Sequence, residues 1–306
     1  MNNKIDSNIY MADFVSTPKP LNLTDILESA RGIYGIQHTL TSGTIIIMNG
    51  FQTIYNLKIQ SNVYTPCGLQ KCALRVELVK KSDGAAMSGK MVMLFNKPAF
   101  RGKKTNIPDF DILREASHSK YTPTLYFSTV SATTGNYIMI LEDVMSGEND
   151  SDMCKKKLNS EQQLDLLTAF VRLGELGLEL VDPNCGNIIL NGDKVKIIDD
   201  ISKIVDDAGN IVEDPSARLY YAMTRLSKLQ FNDNESTLLQ FAMNLSRLSI
   251  LEFNTNYATG DIIIKKFKSD NNIVEKFKSD NNIVGGKKKR INKTRRKRRY
   301  TQKRRR

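Results

Sequence analysis

The sequence predicts an α+β chain with a β-rich front half, a shorter helical back half and a basic C-terminal tail. Three observations carry that prediction. Between Gly43 and Leu141 the apolar residues fall in short β-branched or alternating runs separated by turn residues. From Ser160 to Leu251 they recur mainly at helical spacing. The charge is also divided sharply along the chain. Residues 287–306 hold 14 of the 45 Lys and Arg and no acid, which leaves 31 basic against 33 acidic residues elsewhere, a net of −2.

The elements follow in order. The first forty residues show no clear period, with at most a short helix over Asp25–Ala30. Thr44–Met48 is a β-branched run, Asn49-Gly50 a turn signal and Thr53–Ile59 a returning strand. Cys72–Val79 alternates as a third strand, and Met91–Phe95 reads as a fourth. Pro108 suits the first position of a short helix carrying Ile112, Leu113 and Ala116. Leu125–Thr129 and Tyr137–Leu141 are two further strands. Ser160 and Gln163 have capping-box spacing and start a helix to about Glu179. Ile188–Leu190 and Val195–Ile198 flank Asn191-Gly192, a strong hairpin signal. Helices are predicted from Pro215 to about Leu229 and over Glu235–Leu251. Lys-Phe-Lys-Ser-Asp-Asn-Asn-Ile-Val then occurs at 266–274 and again at 276–284, too few copies for a solenoid. Gly285-Gly286 leads into a tail expected to be disordered.

Composition excludes several classes. A chain of 306 residues suits one large domain or two lobes, and no stretch approaches the roughly 18 apolar residues of a membrane span. The polar start, Met1–Asp13, lacks a signal core, so an intracellular protein, not a secreted one, is expected. Cysteines 67, 72, 154 and 185 are sparse and irregular, which predicts reduced thiols and argues against a zinc site at Cys67 and Cys72. Two histidines, His38 and His118, speak against a catalytic triad or a multi-histidine metal site.

The informative stretch is 180–200. Asp182 follows a helix, Asn187 stands five residues later at a strand start, and Asp199 ends the next strand. Those spacings place two carboxylates and an amide on loops at one edge of a hairpin. Such hard oxygen ligands suit Mg²⁺. Phosphoryl transfer needs the same parts, an acid at the acceptor hydroxyl and an Asn and an Asp on the metal.

On these residues the chain resembles the protein-kinase-like superfamily. Asp182 and Asn187 match its catalytic-loop pattern of Asp, four residues, Asn, and Asp199 its metal-binding Asp. Asn49-Gly50-Phe51-Gln52-Thr53-Ile54-Tyr55 is similar to the second half of the glycine-rich loop, with Gln52 where a glycine is usual. Ala73-Leu74-Arg75 falls where the family has Ala-x-Lys, Asp109 where a helix glutamate pairs with that lysine, and Tyr137–Val144 where the last strand enters the hinge. The resemblance covers roughly residues 40–205. It implies a bilobal fold with a 1–39 extension, an N-lobe at 40–143, a reduced helical C-lobe at 144–254, a linker at 255–286 and the tail at 287–306.

The resemblance further implies ATP with Mg²⁺ between the lobes. Asp182 would be the catalytic base, Asn187 and Asp199 the metal ligands, Arg75 a phosphate contact and Gly50 part of the triphosphate cover. Ala73 and the backbone around Glu142–Val144 would hold the adenine. The implied activity is that of a divergent serine/threonine protein kinase acting on a protein hydroxyl.

The departures are equally specific. Leu180 replaces the family's His, Asn184 its Lys, Asp200-Ile201 the Phe-Gly after the metal Asp, and no Ala-Pro-Glu follows. They keep open a pseudokinase that binds without turnover. The single-residue alternatives also stay open: Asp109 as a helix-start acid, Arg75 as an exposed strand charge, Asn49-Gly50 as a plain turn, and Cys185 as packing. The tail resembles basic tails on proteins of large nucleocytoplasmic DNA viruses. It would bind nucleic acid or another polyanion without sequence preference, or serve as a nuclear signal. The expected setting is host cytoplasm or nucleus, with packaging in a virion compatible. A nucleic-acid-associated structural protein acting through that tail is the remaining alternative.

Overall fold

The computed structural model describes residues 21–60, 71–97, 107–144, 154, 157–198, 200–229 and 236–273. The architecture is mixed α/β. Its first half is a seven-stranded sheet curled into a half-barrel. β1 (Leu21–Asn22), β2 (Ile45–Ile47), β3 (Tyr55–Ile59), β4 (Lys71–Lys80), β5 (Met91–Asn96), β6 (Leu125–Val130) and β7 (Tyr137–Glu142) take the order β1-β2-β3-β4-β5-β7-β6. β1 pairs with β2 in parallel, and the other pairings are antiparallel.

Strand β4 shows why the sheet has two different faces. Successive side chains on a strand point to opposite sides. Cys72, Leu74, Val76 and Leu78 are buried with Leu57, Ile59, Met93, Ile138 and Ile140 in one apolar core. Lys71, Ala73 and Arg75 therefore share the opposite face, next to Leu94 and Val92 of β5.

The core face is covered by α1 (Leu23–Glu28) and α2 (Gly32–Ile36), whose Leu23, Ile26, Leu27 and Ile33 are buried in the same cluster. Asn22 caps α1 by accepting from the Thr24 amide, and the Asn136 side chain donates to the Leu27 and Ser29 carbonyls. Residues 21–39 are thus built into the sheet's core rather than appended to it. Helix α3 (Phe110–Ser117) crosses from β5 to β6.

The second half begins with α4 (Ser160–Glu175). Its capping box is one residue earlier than the spacing predicted: Asn159 accepts from the Gln162 amide, and the Gln162 side chain accepts from the Asn159 amide. Gln163 instead turns inward and accepts from Thr237 Oγ1 and the Leu238 amide. The helix stops before the expected Glu179 because Gly177 takes φ +72°, a left-handed conformation that ends helices at little cost to glycine.

The chain continues as β8 (Leu178–Leu180), the hairpin β9 (Ile188–Asn191) and β10 (Lys194–Ile197), and β11 (Ile201–Lys203), which pairs with β8. Helix α5 (Pro215–Ser227) opens on Pro215 behind the cap Asp214. The single helix expected over 235–251 is two, α6 (Thr237–Ser246) and α7 (Ile250–Asn256). Ser249 and Glu252 form a second capping box that starts α7 afresh.

Helix α8 (Gly260–Asp270) follows, within the segment read as a linker. Phe253, Ile263 and Phe267 are fully buried, and the Phe267 ring lies 5.2 Å from that of Phe241. A Cβ at Gly260 would stand 2.3 Å from Val171 Cγ1, so only glycine permits this approach to α4. The compact unit extends to Phe267. The second copy of the duplication and the basic tail lie outside the described residues. Among the described residues, no helix is long and apolar enough to cross a membrane.

Candidate functional site

A cavity of about 300 Å³ opens between the sheet's second face and the β9–β10 hairpin. Alternation on β4 and β5 supplies Ala73, Arg75, Val92 and Leu94, and the end of β7 supplies Glu142, Asp143 and Val144. Ile189, Ile197 and Ile198 close the other side, with Leu113 of α3 and Thr122 also in the wall. Four sequence-predicted residues, Ala73, Arg75, Glu142 and Val144, thus meet in one mostly apolar slot.

Asp182 and Asn187 lie on the loop between β8 and β9, and local hydrogen bonds shape it. The Asn187 amide donates to the Asn184 carbonyl at 3.0 Å, and Asn187 Nδ2 donates to the Asp182 carbonyl at 3.1 Å. Among the described residues, the exposed Asp182 carboxylate has no hydrogen-bond or ion-pair partner. The Ile198 amide donates to the Asn187 carbonyl at 2.8 Å, and the Val181 amide to the Asp200 carbonyl at 3.0 Å. The chain on both sides of position 199 is therefore tied to the Asp182–Asn187 loop. Asp199 itself lies outside the described residues.

Two other predicted residues are placed elsewhere. Gly50 sits in the β2–β3 connection, at the end of the sheet where Tyr55 pairs with Lys80. Its neighbours Phe51–Tyr55 line a separate, open cavity of about 630 Å³ with Met87, Tyr126 and Phe127. Gly50 therefore does not cover the slot: the connection follows β2, and the antiparallel register carries it to the Lys80 end of β4. Asp109 is the N-cap of α3, with Oδ1 accepting from the Asp111 and Ile112 amides at 3.0 and 3.1 Å. Its carboxylate serves the helix start, as the capping preference of Asp dictates. The α3 acid in an ion pair with β11 is Glu115, which meets Lys203 at 2.5 Å.

The charges along β4 are the finding the sequence reading missed. Arg75 Nε bonds Asp143 Oδ2 at 3.0 Å, beside the end of β7. Lys71, two alternations earlier on the same face, reaches Asp200 Oδ1 at 2.6 Å. Since the Asp200 backbone is bonded to Val181, the β4 cation paired next to the Asp182–Asn187 loop is Lys71, not Arg75. Period-two counting backwards from Ala73 was the available signal.

Glu142 is held in place by Lys196 Nζ at 3.0 Å and by the Thr124 amide at 3.2 Å. Burial pushes its carboxyl upward, but the bonds from Lys196 and Thr124 outweigh that and leave it below the usual carboxylate range. The Glu142 amide donates to the Thr124 carbonyl and the Asp143 amide to the Lys90 carbonyl, each a bond already made within the sheet region. Neither amide is therefore free to meet an adenine edge. Of the hinge backbone proposed to do so, Val144 is the residue left without a hydrogen bond among the described residues.

The loop is also fastened covalently. Cys185, buried at its centre, is joined by a disulfide to Cys154 across 31 residues, with Cα atoms 5.2 Å apart. Cys72 is disulfide-bonded as well. The expectation of reduced thiols is thereby corrected, since the fold brings together cysteines that their spacing kept apart.

Among the described residues, no group of three or more His, Cys, Asp or Glu side chains could hold a metal ion. The Asp182 carboxylate and the Asn187 amide oxygen are nevertheless hard donors of the kind Mg²⁺ takes while keeping water and phosphate oxygens as its other ligands. The donor set fits that ion. No protein-family model matches this chain, and no curated protein matches it.

Proposed function

We propose that the chain is an ATP-dependent phosphotransferase of bilobal, protein-kinase-like architecture, with a nucleotide seated in the slot between sheet and hairpin. One observation carries the reading: a mostly apolar cavity of about 300 Å³ between sheet and hairpin, lined by Ala73 and Ile201, with Lys71 two residues before Ala73 on the same face of β4 and paired to Asp200 just before Ile201. An adenine ring would lie between Ala73, Val92 and Leu94 on one side and Ile189 and Ile197 on the other. Lys71 would neutralise phosphate charge, a role the resemblance gave to Arg75. Asn187, with Asp199, would hold Mg²⁺, which supplies charge neutralisation on the phosphates when bound. Asp182 would orient an acceptor hydroxyl and take its proton. A protein hydroxyl is the proposed acceptor.

A second reading, nucleotide binding without turnover, is favoured by one detail. Asn184 stands where a kinase-like loop carries a phosphate-directed lysine, and its side chain accepts from the Gly186 amide at 2.8 Å, a purely local bond.

The test is thermal melting with ATP, with and without Mg²⁺, followed by phosphate incorporation by the parent and Asp182→Ala. The phosphotransferase reading predicts an ATP-dependent rise in melting temperature and incorporation that disappears in the variant. Equal incorporation by both would refute turnover at this site, and no rise with ATP would refute nucleotide binding.

A further inference from the structure

Most polar groups around the slot already have partners. Arg75 pairs with Asp143, and Glu142 with Lys196 and Thr124. Thr122 is the exception. It lines the cavity, is 5% exposed, and its Oγ1 has no hydrogen-bond partner among the described residues. A buried hydroxyl left unpaired costs about 1–3 kcal/mol, so such groups in folded proteins call for an explanation.

The backbone around Thr122 is firmly placed. Lys196 Nζ donates to its carbonyl at 3.2 Å, and the Ile197 amide donates to the Tyr121 carbonyl at 2.6 Å. Pro123 follows and restricts Thr122 further. What remains adjustable is χ1, and a step between staggered positions exchanges hydroxyl and methyl against the cavity wall. Thr122 and Ile197 are among the most buried residues of that wall.

From this we infer that Thr122 is a specificity-determining residue: its hydroxyl reads the polar edge of a purine ring, at the exocyclic group on position 6. The inference rests on the proposed nucleotide reading. With the phosphates directed to Lys71 and Asn187, the ring edge remote from the sugar is the one that enters deepest. Of the polar side chains in that wall, Arg75, Asp143 and Glu142 are already ion-paired, which leaves the Thr122 hydroxyl to meet that edge. The hydroxyl both donates and accepts, so it gains there the bond it lacks among the described residues.

The test titrates ATP and purine riboside 5′-triphosphate, which lacks the 6-amino group, into the parent, Thr122→Val and Thr122→Ser. Thr122→Val should weaken ATP about tenfold, the worth of one hydrogen bond, and leave the riboside triphosphate within about twofold. Thr122→Ser should retain ATP affinity. A Val variant that weakens both ligands alike, or neither, overturns the assignment while the nucleotide reading stands. A parent that binds neither ligand takes down both. Without ligand, Thr122→Val should melt at or above the parent temperature, because an unpaired hydroxyl has been removed. A fall of more than about 3 °C would mean the hydroxyl is satisfied within the protein, which also overturns it.

Discussion

Two positions on strand β4 present the same kind of charge to different surroundings. At one, in the middle of the strand, Arg75 answers Asp143, a carboxylate only 6% exposed just past the end of β7. At the other, Lys71 answers Asp200, whose backbone is tied to the loop that carries Asp182 and Asn187. Both cations project from the same face, four residues apart. Their partners, not their own chemistry, decide which end of the slot can handle phosphate and which frames the ring. A basic residue on an alternating strand is thus defined by what lies across the cleft.

The comparison breaks most visibly at the loop end. Asp182→Ala should lower phosphate transfer about 10²- to 10⁴-fold, the range for a positioned acid or base, with ATP affinity within about threefold of the parent. Loss of binding instead would make Asp182 a structural residue. Next in size is the disulfide, which fastens the loop end and has no counterpart at the Arg75 end among the described residues. Cys154→Ser should lower stability by about 3–4 kcal/mol on the chain-entropy account of a loop this long. Hydrogen exchange should quicken over 182–187 and stay unchanged over Glu142–Val144. Uniform quickening would show that the bridge steadies the whole unit rather than one end.

The smallest effect concerns Glu142. Burial raises its pKa, but the Lys196 and Thr124 bonds lower it more, so its folded pKa lies below the ordinary 4.5. A depressed carboxyl contributes stability above its unfolded pKa and loses it as the pH falls through the folded value. Lys196→Met should therefore cost under about 1 kcal/mol at pH 7, a partly exposed ion pair, with the difference shrinking below about pH 4. A difference independent of pH would assign Lys196 a packing role alone.

How much of this was legible in the sequence depends on the length of each signal. Strand β4 alternates over ten residues, so its faces could be read directly, and the Asn191-Gly192 turn fixed the β9–β10 hairpin. Helices α1 and α2, of six and five residues, complete less than two turns each and leave no period to detect. The break between α6 and α7 was hidden because apolar spacing continues across it, while Ser249 and Glu252 restart the helix through side-chain bonds. At the site, Ala73, Arg75, Glu142 and Val144 were found because alternation and strand ends are local properties. Lys71 carries no such signal, because the Ala-x-Lys spacing points from Ala73 to Arg75, whereas the cation facing Asp200 stands two residues before Ala73. The Cys154–Cys185 pair depends on tertiary contact, which no spacing rule supplies.

The central claim is that the Lys71 end of the slot takes the phosphates and the Arg75 end does not. Titration of ATP and of adenosine into the parent, Lys71→Met and Arg75→Met tests it directly. The account predicts that Lys71→Met weakens ATP about 10- to 100-fold, as for a lost charge-assisted bond, and leaves adenosine unchanged, while Arg75→Met costs ATP less than about threefold. An ATP loss concentrated in Arg75→Met, with Lys71→Met binding like the parent, would contradict it.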